Sequence, residues 1–314
     1  MKRVLASICA AALALSLAAC SSTASSSESS SAAEESSSAA STTEESSAAS
    51  DESTGASGSI TVVTREDGSG TRSAFIELTG VETDEGDMTT ATAQAANSTN
   101  NVMTSVQAEP SAIGYISMGS LNETVKGIAV DGVEPTTDNV KAGTYPISRP
   151  FNIVTKGDIS AQDELTQDFV NWVMSADGQA ICTEEGYIGD DAAEAYTSTQ
   201  PSGSLAVGGS SSVYPVMEKL IETYMADVNP NASIDLQTTD STNGVTGALD
   251  GTYQVGMASR AISDDEASQG AVSTQLAMDG IAVIVNTENA VSNISMDSLR
   301  GIYTGEVTDW ADVQ

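Results

Sequence analysis

Residues 59–80 read SITVVTREDGSGTRSAFIELTG. The first six are a short run of mostly β-branched side chains, as strands are, and SAFIELTG with Val81 carries apolar residues at helical spacing. Between them lies a loop of glycine and hydroxyl residues bracketed by Arg65 and Arg72. The unit recurs. Leu205–Val207 leads into Gly208-Gly209-Ser210-Ser211-Ser212 and then the helical pattern PVMEKLIETYMADV. The segment SIDLQ leads into Thr238-Thr239-Asp240-Ser241-Thr242-Asn243-Gly244 and then VTGALDG. Each loop places hydroxyls and glycines where a helix begins, and helix N-termini expose unpaired N–H groups and partial positive charge. Alternating strands and helices predict an α/β fold. A single loop of this kind reads first as a helix cap; three, two of them flanked or followed by arginines, favour the anion.

The rest of the composition narrows the function by exclusion. The chain has 314 residues, 11 Lys plus Arg against 44 Asp plus Glu, and a formal charge of -33. Such a field repels nucleic acid. With no histidine, Ser-His-Asp and Cys-His machinery and His-ligated metals are ruled out. No GK[ST], G-x-G-x-x-G or G-x-S-x-G motif is present. The three cysteines, Cys9, Cys20 and Cys182, form neither a disulfide framework nor a C-x-x-C site. No enzyme, no metal and no cofactor are expected.

Residues 1–20, MKRVLASICAAALALSLAAC, combine a basic start, an apolar stretch too short to span a bilayer comfortably, and small residues before Cys20. This resembles a bacterial lipoprotein signal, which implies lipidation at Cys20 and an extracytoplasmic, membrane-anchored chain. Residues 21–58 are almost entirely Ser, Ala, Thr, Glu and Asp, with seven acids and no base. They read as a solvated tether.

In the remainder, the segments ITVVTREDGSGTRSAF, AIGYISMGSL, GTYPISRPFNIVTKG, WVMSADGQAICTEEGYI, GGSSSVYPVMEKLIETY, VGMASRAISDDE, MDGIAVIVN and LRGIYTGEVTDWADV resemble the phosphate-binding proteins of phosphate ABC transporters. Their order differs from the family's, in which the GGSSS half comes first. The resemblance therefore implies a circularly permuted, two-lobed periplasmic-binding-protein fold of the type 2-like kind. The family's usual ends would be joined through Tyr196–Gly203. A fusion of two neighbouring family genes is the alternative origin. One lobe is expected at 147–286 and the other at 59–146 plus 287–314, with RPFNIVT (Arg149–Thr155) and IAVIVN (Ile281–Asn286) crossing between them.

The resemblance further implies phosphate ligands at Ser211, Ser212, Ser241, Arg65, Ser69, Gly70 and Thr71, with Asp67 orienting Arg65. Ser259, Arg260, Asp240 and Asp279 are additional candidates. Where many family members have a serine-aspartate pair, this chain has Ser259-Arg260, so Asp240 or Asp279 would have to accept the phosphate's own proton. Either aspartate also reads as a turn residue or helix cap. The implied activity is capture of inorganic phosphate by a monomer and delivery to a membrane permease. The alternatives are another tetrahedral oxyanion (sulfate or molybdate), or a phosphate sensor or adhesin without transport.

Overall fold

The computed structural model describes residues 58–313. The signal segment with Cys20, and all but the last residue of the 21–58 segment, lie outside the described residues. In chain order the first elements are β1 (Thr61–Arg65), α1 (Gly70–Thr79), β2 (Glu82–Thr83), β3 (Gly86–Asp87), β4 (Gln94–Ala96), α2 (Thr99–Ala108), β5 (Ala112–Ser117), β6 (Lys126–Val130) and α3 (Thr137–Lys141). Next come β7 (Ser148–Lys156), α4 (Glu164–Val173), α5 (Ala176–Glu184), β8 (Gly203–Ser210), α6 (Tyr214–Thr223), β9 (Ala232–Thr239) and α7 (Ser241–Asp250). The chain finishes with β10 (Val255–Ala258), α8 (Asp264–Ser268), β11 (Ala271–Val285), β12 (Asn293–Ile294) and α9 (Met296–Thr304).

The strands run in the order β4-β1-β5-β11-β7-β10-β8-β9, with β6 also on β11 and β12 on β6. Parallel pairing holds β4-β1-β5 at one end and β10-β8-β9 at the other. Strand β11 bridges them. Its first part pairs antiparallel with β7 and its last part, Ile281–Val285, with β5 and β6. Two cores follow from this division. One gathers Val62, Phe75, Tyr115, Ile284, Tyr303 and Trp310; the other gathers Phe151, Phe169, Trp172, Val207, Leu220 and Met257. The fold thus has two α/β lobes joined by crossing strands.

The lobe boundary moves slightly from the expected one. RPFNIVT does not pair with IAVIVN; it lies against Gln275, Ala277 and the residues around them, with Arg149 opposite Asp279. Ile281–Val285 pack into the first core, so the change of core falls just before residue 281 and residue 286 marks the end of the crossing strand. The switch occurs where β11 exchanges partners, which no local pattern encodes.

Four of the parallel strands deliver their carboxyl ends to a helix start: β1 to α1, β4 to α2, β8 to α6 and β9 to α7. Ligands of open α/β sheets bind at such ends. The second lobe packs backbone on backbone to achieve this. A Cβ at Gly244 in α7 would sit 2.4 Å from the Met257 carbonyl oxygen and 2.9 Å from Gly209 Cα. The two ends of the described chain adjoin, through Ile60 N donating to the Thr308 carbonyl (2.9 Å) and Trp310 N to the Gly58 carbonyl (2.9 Å). The 196–203 segment is fastened to the second lobe by buried Asp168, which accepts from Tyr196 Oη (3.0 Å), Ser198 Oγ (2.5 Å), Thr199 N (2.8 Å) and Tyr224 Oη (2.5 Å).

Candidate functional site

Four helix N-termini, two from each lobe, meet at one place. Helix α1 is capped by Ser69, whose Oγ accepts from Arg72 N, and the first-turn amides of Gly70 and Thr71 have no acceptor within the helix. Helix α7 is capped by Asp240, helix α2 by Ser98, and α6 follows the Ser211–Ser212 turn. The N-terminal dipoles add positive potential where a net acidic protein otherwise has little.

Across the cleft the hydroxyls come within hydrogen-bond reach. Thr71 Oγ1 lies 2.8 Å from Ser212 Oγ. Arg65 Nη2 donates to Ser211 Oγ at 3.1 Å. Ser241 Oγ accepts from the Ser259 amide at 2.9 Å and lies 3.2 Å from Ser259 Oγ, to which Ser210 Oγ donates at 2.9 Å. Thr242 N donates to the Gly68 carbonyl at 3.1 Å. Arg65, Ser69, Thr71, Ser212, Ser241 and Ser259 are all buried. Gly70 permits the approach: a Cβ there would lie 2.3 Å from Ser241 Oγ. The structure therefore brings Ser211, Ser212, Ser241, Arg65, Ser69, Gly70, Thr71 and Ser259 together. These groups are nearly all donors to an anion, and the arrangement suits a small oxyanion desolvated between the lobes.

One expected role is corrected, and three further candidates pair within the protein. Asp67 does not orient Arg65; it is exposed and pairs with Arg72 at 3.0 Å. Glu66 takes that place, its carboxylate accepting from Arg65 Nε and Nη2 at 2.7 Å each. The adjacent, longer side chain reaches back over the strand end, where Asp67 already points outward with the turn. Arg260 turns to Glu266, with contacts at 2.8 and 2.7 Å, and touches the site only through Thr242 Oγ1 at 3.4 Å. Asp240 spends its carboxylate on its own helix, accepting from Asn243 N (2.8 Å) and Nδ2 (2.5 Å). Asp279 is fully buried against Arg149 at 3.1 Å, and its other oxygen accepts from Ser117 Oγ at 3.0 Å. Both carboxylates thus already accept hydrogen bonds from protein donors.

Two residues were missed in the sequence. Thr99, at the head of α2, places Oγ1 3.2 Å from Ser212 Oγ and 3.4 Å from Ser211 Oγ. Its only signal is Asn-Ser-Thr before a helical stretch, a weak cap pattern. Arg149 donates to Thr71 Oγ1 at 2.8 Å and had no local signal. Cys182 is a buried free thiol, pushed up by burial to about 12, and Trp172 and Trp310 are packing residues. A cavity of about 380 Å³ lined by Ala176, Gln179 and Asp190 lies elsewhere and gathers no comparable donors.

A pair of lobes closing hydrogen-bond donors on an anion defines a solute-binding class of protein. The model of the PBP superfamily domain matches residues 31–177 and 194–314. The phosphate-binding protein PstS 2 of Streptococcus agalactiae is 46 % identical over 266 residues, covering 83 % of this chain and 90 % of that one. The crystal structure of a phosphate ABC transporter, phosphate-binding protein from Streptococcus pneumoniae superposes with a TM-score of 0.66 at 40 % identity, over 82 % of this chain and 100 % of that one. The phosphate-binding protein PstS of Bacillus subtilis matches over 141 residues at 36 % identity, 44 % of each chain. The chain belongs to the PBP superfamily and, within it, to the family of these phosphate-binding proteins.

Proposed function

We propose that this chain captures inorganic phosphate between its lobes and delivers it to the permease of an ABC transporter, making and breaking no covalent bond. The observation that carries this reading is the convergence of Arg65, the α1 N-terminus, Ser211–Ser212 and Ser241 on one buried point. The name shared by relatives that align over nearly their full length supports it. The signal-like residues 1–20 support an extracytoplasmic protein held to the membrane through lipid on Cys20. Capture by two lobes of one chain needs only a monomer.

The chain order is proposed to be circularly permuted relative to some family members. The contacts of Gly58 and Ile60 with Trp310 and Thr308 support this. So does the match to the Bacillus subtilis protein over 44 % of each chain, beside 90 % coverage of the Streptococcus agalactiae one; a swapped order interrupts a collinear match halfway.

Calorimetric titration of the full-length chain in detergent, first with phosphate and then with sulfate, tests the ligand. One-to-one phosphate binding is expected. Silence with phosphate from folded protein refutes the assignment. Sulfate is the second arm for a structural reason: Asp240 and Asp279 both already accept from protein donors, so the sulfate titration reads whether any carboxylate at the site answers the proton that phosphate carries and sulfate lacks.

A further inference from the structure

Arg149 stands behind the loops that sequence reading assigned to the site. It lies on β7 directly opposite Asp279 of β11, and its side chain is 1 % exposed. The guanidinium divides its donors between two edges. Nη2 and Nε face Asp279 Oδ2 at 3.1 and 3.4 Å. Nη1 donates to Thr71 Oγ1 and to the Ser259 carbonyl, each at 2.8 Å. The Phe151 ring centroid lies 5.1 Å from its central carbon and helps fix its plane.

Two consequences follow from donor and acceptor chemistry. A hydroxyl that accepts from a permanently charged guanidinium sends its own proton elsewhere. For Thr71 the remaining direction is Ser212 Oγ, 2.8 Å away, or an anion seated beside it. Second, Thr71 belongs to one lobe and Ser259 to the other, so a single Nη1 holds both.

We propose that Arg149 is a positioning residue of the anion site: it commits the Thr71 hydroxyl to donating into the cleft and fastens Thr71 to Ser259 in the arrangement that grips the ligand. The proposal rests on the anion-binding reading above. Asp279 is the counter-ion on the far edge of the guanidinium, so the pair forms a buried dipole with its positive side toward Thr71. Removing the arginine and removing the charge of the aspartate should therefore act in opposite directions on anion affinity.

The test titrates the full-length chain with inorganic phosphate, or with sulfate should phosphate be silent; silence with both overturns this proposal together with the reading it rests on. Arg149→Gln is expected to weaken binding about 10- to 100-fold, the range for one charge-assisted hydrogen bond. Thr71→Val should lose a similar factor, and Thr71→Ser, which restores a hydroxyl, should recover to within about threefold. Because Arg149 acts through Thr71, the double variant Arg149→Gln/Thr71→Val should bind no more than about twofold worse than the weaker single variant. Asp279→Asn keeps an acceptor and removes the opposing charge, so affinity should rise. Multiplicative losses in the double variant overturn the relay. Loss of affinity in Asp279→Asn equal to that in Arg149→Gln overturns the dipole and leaves a purely structural pair. Should Arg149→Gln fail to fold, Arg149→Lys takes its place in the cycle, and the Thr71 and Asp279 arms decide on the same criteria.

Discussion

Replacing Gly70 by alanine should separate folding from ligand capture. The added methyl would sit 2.3 Å from Ser241 Oγ, 2.8 Å from Ser259 Oγ and 2.9 Å from Ser241 Cβ. Non-bonded carbons settle at roughly 3.5–4.0 Å, so the head of α1 must retreat from the second lobe by about 1 Å. Rotating Ser241 does not relieve the contact, because its Cβ is also in the way and its Oγ accepts from the Ser259 amide at 2.9 Å. Overpacking of this kind costs about 1–3 kcal/mol, which corresponds to a roughly 5- to 150-fold rise in Kd. The cost falls only on the state in which the lobes meet. With the lobes apart, alanine in a first helical turn is neutral or better by up to about 1 kcal/mol. Calorimetric titration with phosphate should therefore show the weakened Kd, while scanning calorimetry without phosphate shows an equal or higher Tm. A Kd within twofold of the parent, or a lower ligand-free Tm, would refute the claim that Gly70 serves closure rather than folding.

Gly244→Ala makes the opposite prediction. Its methyl would strike the Met257 carbonyl and Gly209 Cα within one lobe, so denaturant unfolding should show a loss of about 1–3 kcal/mol whether or not phosphate is present. Asp168→Asn should loosen the 196–203 connection and cost about 2–4 kcal/mol, the scale of losing charge-assisted bonds to a buried acceptor. Burial pushes the Asp168 carboxyl up, but hydrogen bonds from Ser198, Tyr224, Thr199 and Tyr196 outweigh it and hold the group below its usual value. Its contribution is thus complete above the ordinary carboxylate range and lost as pH falls through the lowered value, so the variant should show a shallower acid loss in unfolding titrations. Asp279 behaves in the reverse sense. Burial pushes it from 3.8 up to about 6 against the pull of Arg149 and Ser117, so the folded chain binds the extra proton between those values and loses stability as pH rises through them. The term amounts to about 3 kcal/mol, and Asp279→Asn should flatten that part of the Tm profile between pH 4 and 6.

The parts of the site that local pattern could reveal were those carried on a single strand-to-helix junction. Ser69–Thr71, Ser211–Ser212 and Ser241 each follow a readable strand and precede a readable helix, and the fold brings all three junctions together. Thr99 escaped because β4 has only three residues, Gln94–Ala96, too short for a period. Arg149 and Asp279 lie 130 residues apart and meet only through the register of β7 with β11, a tertiary fact. The exchange of Asp67 for Glu66 at Arg65 turns on which of two adjacent carboxylates faces inward, and that is set by the turn at Gly68, whose φ is 85°. Arg260 was drawn to the site by its neighbour Ser259 but finds a nearer carboxylate in Glu266.

The contact of Gly58 and Ile60 with Thr308 and Trp310 has a practical consequence for sensing. A reporter joined to both Gly58 and Trp310 is attached to a single point on one lobe. Its signal would follow whether that lobe is intact and stay blind to closure. A fluorophore pair divided between the Gly58 end and the exposed 200–202 turn would have one probe on each lobe, since Asp168 fastens the connection to the second. This second placement turns ligand capture into a change of distance.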